Sequence, residues 1–345
     1  MAKRRKKRKN RKKTGLLLVV LAILIGGGSY LYLNQDVQDE LKKVTKIQPT
    51  LKIVDENSKR RSIAVMIDNS DAARGNHIGL QDAYITYEAI TEGGITRLMA
   101  LFKDVNTDLI GPVRSSRHYF LDYALENDAI YAHYGWSDRA KNDISSLDIN
   151  NLNGITNASD AYWRDQNFYA PHNVYTSIEK LKASAEAKSY ALKTDTPLLL
   201  PYSVKPVHLE TDENHLVANQ VVIPYSYYHT TSYQYKEEEQ RYYRSMNDEA
   251  HTDYKTKKQY HVKNILILKI PNYSFDSYGR QDLENIGTGD GYFITSGYAI
   301  PIQWHKNSRS KETTYTKMDG SELKVNDGNT AIHIQPITQE TTIQE

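Results

Sequence analysis

The chain has 345 residues, enough for two medium domains with their own cores, and its composition is that of a folded chain rather than a disordered one. The formal charge of +2 hides an asymmetry: residues 1–13 hold ten Lys or Arg and no acid, which leaves 34 basic against 42 acidic residues, or −8, for the remainder. A folded part of that sign does not suit nucleic acid, and the absence of cysteine excludes disulfides, thiolate zinc sites and cysteine nucleophiles.

The basic run 1–13 precedes an uncharged stretch, residues 15–33, with an apolar core from Gly15 to Ile25. As a helix, a segment of that length spans ~28 Å, about one hydrocarbon core. Residues 14–33 are therefore expected to be a transmembrane anchor. The positive flank predicts a cytoplasmic N-terminus and an extracellular bulk, with Tyr30 and Tyr32 at the outer interface. The cytoplasmic membrane is thus the first expected partner. A cleaved signal peptide is the alternative, but no A-x-A pattern follows Gly26-Gly27-Gly28, which favours an uncleaved signal-anchor.

Residues 34–61 are polar and without steady periodicity, and read as a stalk ending in a short hairpin at Leu51 to Val54. Residues 62–193 form the first folded region. Ile63 to Ile67 reads as a strand buried on both faces, followed by strands at Tyr84 to Tyr87 and Ile95 to Phe102 with a turn at Gly93-Gly94. Ser115 or Ser116 is placed to cap a helix running to Glu126; a strand follows at Ala129 to His133, and Ser137 caps a short helix. Thr176 or Ser177 caps a helix through Ala187. Strands interleaved with helices predict an α+β or α/β N-terminal domain.

Residues 194–220 contain Pro197, Pro201 and Pro206 and read as a linker. Residues 221–337 read as a mainly antiparallel β domain, with strands at Val262 to Ile270 and Tyr292 to Ile294 and a hairpin around Asp319-Gly320. The run Gly287 to Gly291 lacks the lysine and helix of a phosphate loop and reads as a hairpin turn. Residues 338–345 read as a frayed tail. Tyrosine occurs 27 times against 5 Phe, which fits half-buried strand faces or, alternatively, a glycan-binding surface.

The densest run of reactive side chains lies between Asp68 and Arg117. Asp68 ends a buried strand, where α/β folds commonly place a site. Glu88 and Glu92 flank a strand end, and Arg97 opens the next strand. Arg114, Ser115 and Arg117 enter a predicted helix, whose free N–H groups and two guanidinium forks suit an anion. A structural network, with both arginines paired to Asp68, Glu88 or Glu92, accounts for the same residues. His133 ends a strand, and His172 and Asn173 precede a helix; either His can serve acid–base chemistry or packing. No metal signature and no cofactor fingerprint is present.

Several of these segments recur together in a known order. Ala64-Val65-Met66-Ile67-Asp68-Asn69, Tyr87-Glu88-Ala89 and Glu92-Gly93-Gly94-Ile95-Thr96-Arg97 come first. Gly111-Pro112-Val113-Arg114-Ser115-Ser116-Arg117, His133-Tyr134-Gly135-Trp136-Ser137 and Pro171-His172-Asn173 follow. Tyr243-Arg244, Gly289-Asp290-Gly291 and Trp304 match more loosely. The series resembles the YerB-like family, bacterial envelope proteins built around a domain of unknown function. The resemblance implies a two-part ectodomain on the outer face of Gram-positive-type cells and supplies no catalytic residues. Members are often lipoproteins held by a lipidated cysteine; without any Cys, this chain is expected to rely on its apolar span.

Three functions are compatible with these features. The first is an envelope-binding module for an anionic wall polymer, peptidoglycan or a partner protein. The second is a glycan or phosphodiester hydrolase with Asp68, Glu88 or Glu92 as acid or base, His133 as proton shuttle and Arg114 with Arg117 on the anion. It requires those groups to converge in one cleft. The third is a structural ectodomain of a membrane complex.

Overall fold

The short apolar run after residue 62 forms strand β1 (Ile63–Asp68), buried along its whole length in the computed structural model, which describes residues 50–345. The basic segment, the predicted anchor and residues 34–49 of the stalk lie outside the described residues. Among the described residues no helix is long and apolar enough to cross a membrane. The N-terminal region is mixed: β2 (Ile85–Ile90), β3 (Thr96–Phe102), α1 (His118–Glu126), β4 (Ile130–His133), α2 (Asp138–Ser146), β5 (Asn151–Asn153) and α3 (Ile178–Ala187). The C-terminal region is mainly β. Its longer strands are β6 (Gln220–Pro224), β7 (Thr230–Lys236), β8 (Arg241–Met246), β9 (Asn264–Ile270), β10 (Gly287–Thr295), β11 (Tyr298–Lys306), β12 (Thr314–Lys317), β13 (Thr330–Pro336) and β14 (Thr342–Gln344).

Both regions feed one mixed sheet of order β12-β11-β10-β9-β13-β2-β3-β1-β4-β5, with Leu216–Val217 added beside β11. The joint is β13, which pairs in parallel with β2 on one side and β9 on the other; Tyr87 and Leu266 both lie opposite Ile332. The boundary expected at 194–220 therefore does not separate two sheets, and Thr50–Glu345 form one unit. A second sheet of order β8-β7-β6-β14 is flanked by short pairings at Glu249–Ala250 and His261–Val262.

Alternation along the strands sets the layers. Ala64, Met66, Tyr87, Met99 and Leu101 face the rings of α1, including Tyr119, Phe120 and Tyr123. Val65, Ile67, Leu98 and Ala100 face the opposite way, toward Ile178, Leu181 and Ala185 of α3. Further along that second face, Ile265, Ile267, Ile294 and Ala331 pack on Val221, Ile223, Tyr233 and Tyr242 of the smaller sheet. Many tyrosines thus fill the core rather than a surface: Tyr87, Tyr119, Tyr123, Tyr131, Tyr175, Tyr225, Tyr233 and Tyr242 are among the largest fully buried side chains.

Several local expectations are corrected. Leu51 and Val54 form no hairpin; they pack into the main core, and Asp327 accepts from the Lys52 and Ile53 N–H groups. Gly287 to Gly291 is not a turn but the start of β10, because Gly289 gives its space to the Trp304 ring and Gly291 to the Ile267 carbonyl. The hairpin expected at Asp319-Gly320 is present but short: the Lys317 and Leu323 N–H groups donate to the Ser321 and Tyr315 carbonyls around the Thr316–Glu322 bridge, and the returning segment then joins Tyr202–Ser203 in parallel. The C-terminal tail is not wholly frayed, since β14 closes the edge of the smaller sheet against β6.

Candidate functional site

The strand ends of β1, β3 and β2 meet the loops carrying Arg114 and His172. Asp68 is the last residue of β1 and lies opposite Arg97 on β3. Its position just past a buried strand lets the chain turn at once: Asp68 Oδ1 accepts from both the Ser70 N–H and the Ser70 hydroxyl, at 3.1 and 2.8 Å. Asp68 Oδ2 accepts from His172 Nδ1 at 2.8 Å and pairs with Arg114 Nε at 3.2 Å. Burial alone raises the Asp68 pKa, but the Arg114 charge and the Ser70 and His172 hydrogen bonds outweigh it, and the net shift is downward. Asp68 is therefore a fixed carboxylate.

That carboxylate locks the tautomer of His172. With Nδ1–H committed to Asp68, Nε2 is the unprotonated nitrogen of the neutral ring, and it makes no hydrogen bond among the described residues. Arg114 is oriented by its Nε contact, and its guanidinium makes no hydrogen bond among the described residues. Both side chains are partly open to solvent, at 29% for Arg114 and 21% for His172.

Next to them lies a second cluster, already saturated. Glu92 takes the Arg117 guanidinium in a two-pronged contact and pairs with Arg97 at 3.3 Å. Burial raises the Glu92 pKa, but the Arg117 hydrogen bond and the Arg97 and Arg117 charges hold it near 2. Arg97 Nη1 donates to the Ser115 carbonyl at 2.6 Å. Burial and the neighbouring Arg117 charge lower the Arg97 pKa to about 10. Helix α1 begins at His118 with Arg117 in the capping position and no side-chain cap, so neither Ser115 nor Ser116 caps it. Ser115 donates instead to the Tyr134 carbonyl and Ser116 bonds to Tyr131. The anion expected between Arg114, Arg117 and the helix entrance thus has an internal occupant on the Arg117 side, the carboxylate of Glu92.

Glu88 is not on this face. Asp68, Ala89 and Arg97 share one register line, which turns Glu88 to the opposite face of the sheet. There it is buried against the smaller sheet, paired with Arg244 at 2.9 Å and hydrogen-bonded to His229, Thr231, Thr96 and Asn69. Burial raises its pKa, but Arg244 and His229 pull it well below the ordinary carboxylate value. Arg244 donates to His251, His251 to His77, and His77 Nε2 to the Asp68 carbonyl. A continuous buried chain of donors therefore runs from Glu88 and Arg244 to the backbone of the surface cluster. The adjoining cavity, about 40 Å³, has room for a few water molecules but not for a sugar ring.

His133 joins neither group. It is fully buried between Tyr131 and Trp136, and Nδ1–H donates to the Gly135 carbonyl at 2.7 Å. Burial lowers its pKa to about 4. The expectation of one cleft holding Asp68, Glu88, Glu92 and His133 is not met, because strand alternation and burial divide them. Asn173 is a loop pin: it accepts from Arg164 and donates to the Asp165 and Phe168 carbonyls. Ser70, His77 and His251 escaped sequence reasoning, having no spacing signal. Arg244 carried one, as part of the Tyr243-Arg244 pair.

Residues 50–191 match the family model described as the N-terminal domain of a protein of unknown function (DUF3048), and residues 221–332 match its C-terminal domain. The chain is 33% identical over 306 residues to the "Putative lipoprotein YerB" of Bacillus subtilis (strain 168), covering 87% of this chain and 88% of that one. The crystal structure of the YerB protein from Bacillus subtilis superposes with a TM-score of 0.74 at 30% identity, covering 86% of this chain and 100% of that one.

Proposed function

The chain belongs to the DUF3048 family of unknown function, and from that premise we propose a membrane-anchored, extracytoplasmic envelope protein that binds an anionic group of an envelope component at Arg114, Asp68 and His172. The lipoprotein name of its Bacillus relative supports attachment to the outer face of a membrane. With no cysteine to carry a lipid, the uncharged span at residues 15–33 takes that role.

One observation carries the binding reading. Arg114 is held through Nε, its side chain is 29% exposed, and its guanidinium makes no hydrogen bond among the described residues. An oriented guanidinium with open N–H groups is a ready receptor for phosphate or carboxylate. The acidic surplus of the folded part is overcome locally, because three arginines, Arg97, Arg114 and Arg117, are paired with two carboxylates, Asp68 and Glu92, among the described residues.

A hydrolase is the second reading, and the Asp68–His172 pair favours it. A carboxylate that fixes Nδ1–H leaves Nε2 free to act as a base on a side chain that is 21% exposed. One experiment separates the two. The detergent-solubilised full chain is incubated with fractionated wall polymer and peptidoglycan, and both retention and new products are measured. Retention without products, weakened about tenfold or more in Arg114→Gln, supports binding. Products that vanish in His172→Gln support the hydrolase. Retention unchanged in Arg114→Gln rules out the proposed site.

A further inference from the structure

Among the charged groups at the strand ends Asp68 and Arg97 are buried while Glu92, Arg114 and His172 are partly exposed, and exposed tyrosines stand at both ends of their row. On one side stands Tyr169, 91% exposed, whose carbonyl accepts from the His172 N–H at 3.0 Å. On the other stand Tyr227 and Tyr228, 95% and 64% exposed, at the tip between β6 and β7. That tip is tied to the row: Ser226 donates to the Gly94 carbonyl at 2.6 Å, and the Tyr228 ring lies against Gly94, two residues after Glu92. Gly94 has φ of 74°, and a Cβ there would meet both Ser226 and Tyr228, so the turn and the tyrosine tip are built to touch.

Between these ends the row crosses β1, β3 and β2, neighbours at ~4.8 Å spacing. It runs from His172 and Asp68 to Arg97 and Glu92. Arg97 and Arg117 are only 5% and 12% exposed in their side chains. An exposed Tyr ring costs solubility and gains nothing from the core. Many other tyrosines here avoid that cost by burial; Tyr254, Tyr273 and Tyr278 are exposed elsewhere, and these three leave rigid, amphipathic faces in water at the ends of the row that holds Arg114.

We propose that this row is a groove for an extended anionic glycan, with a carboxylate or phosphate on Arg114 and sugar rings against Tyr169 at one end and Tyr227 and Tyr228 at the other. The inference rests on the anion-binding reading of Arg114 and adds the ligand class. A chain of sugar rings presents apolar faces to tyrosines and acidic groups to a guanidinium at intervals along one strand of polymer. A lipid surface fits less well, because it is met by several projecting cations, and here Arg97 and Arg117 are buried and paired with Glu92.

The test uses the detergent-solubilised full chain with four probes: polygalacturonate, polyphosphate of similar length, neutral dextran, and phosphatidylglycerol vesicles. Polygalacturonate is expected to bind at least tenfold tighter than polyphosphate, with dextran weaker than both. Tyr169→Ala and the pair Tyr227→Ala, Tyr228→Ala, all surface changes, are expected to remove that tenfold preference and leave polyphosphate binding unchanged. Arg114→Gln is expected to weaken both anions together. Equal binding of the two anions, untouched by the tyrosine changes, overturns the glycan groove and leaves the anion site standing. Loss of vesicle binding in the tyrosine variants, without any glycan binding, overturns it in favour of a membrane surface. No binding of either anion removes the anion-binding reading, and the groove with it.

Discussion

Two carboxylates separated by one sheet illustrate how position decides chemistry. Asp68 reaches the surface cluster and holds His172 and Arg114, while Glu88 faces the smaller sheet and neutralises the buried Arg244. Removing one member of a buried pair leaves the other uncompensated. Glu88→Gln is therefore expected to destabilise the fold by ~3–5 kcal/mol, read from urea unfolding, because Arg244 keeps its charge in the core. His133 offers the converse. Its ring packs between Tyr131 and Trp136 away from solvent, so His133→Ala should cost ~1–3 kcal/mol of stability and leave retention of wall polymer unchanged. A loss of retention in a folded His133→Ala protein would return this residue to the site.

Helix starts show the same dependence on what surrounds them. Ser137 and Ser177 accept from the N–H groups of Ala140 and Lys180, and open α2 and α3 as capping residues. Ser137→Ala and Ser177→Ala should each cost ~1 kcal/mol in denaturant midpoint measurements. Ser115→Ala should cost less than either, since α1 starts without a side-chain cap and Ser115 only donates to the Tyr134 carbonyl. Between β9 and β10 the fit is tighter still. A Cβ at Gly291 would stand 2.0 Å from the Ile267 carbonyl oxygen, so Gly291→Ala must push two paired strands apart. Destabilisation of ~1–3 kcal/mol or more is expected there, whereas Gly320→Ser, with open space around it, should cost only the ~1 kcal/mol of backbone strain that a φ of 81° imposes.

At the scale of the whole molecule, β13 joins the two family-matched stretches in one sheet. Unfolding followed by tryptophan fluorescence and by circular dichroism should coincide for residues on both sides of the linker, and two separate transitions would show that the shared sheet is not the stabilising element. The same core makes stability pH-dependent. Burial lowers His77, His133 and His333 to about 4 from an ordinary 6.5. Between those limits the unfolded chain binds more protons, so stability falls as pH drops from about 6.5 toward 4, by ~1.4 kcal/mol per pH step for each such histidine. Glu88 acts with the same sign at lower pH, because its stabilisation is complete above the ordinary carboxylate value of 4.5 and is lost on acidification. A urea midpoint that is unchanged between pH 7 and pH 5 would contradict this.

Local pattern was enough for part of this protein. The continuous apolar run of β1, the Gly93-Gly94 turn, the caps at Ser137 and Ser177 and the β-rich second half follow from short-range rules that do not depend on distant residues. The ordered motif series identified the family, and it also marked Asp68, Arg114 and His172 before their contacts were visible. What pairs with what was decided only in three dimensions. Glu88 and Asp68 are separated by strand parity once β1, β3 and β2 are in register, and Arg117 is taken by Glu92 across a turn. The placing of β13 between β2 and β9 brings segments more than 200 residues apart into one sheet, and such pairing depends on the global packing of faces rather than on any local sequence preference.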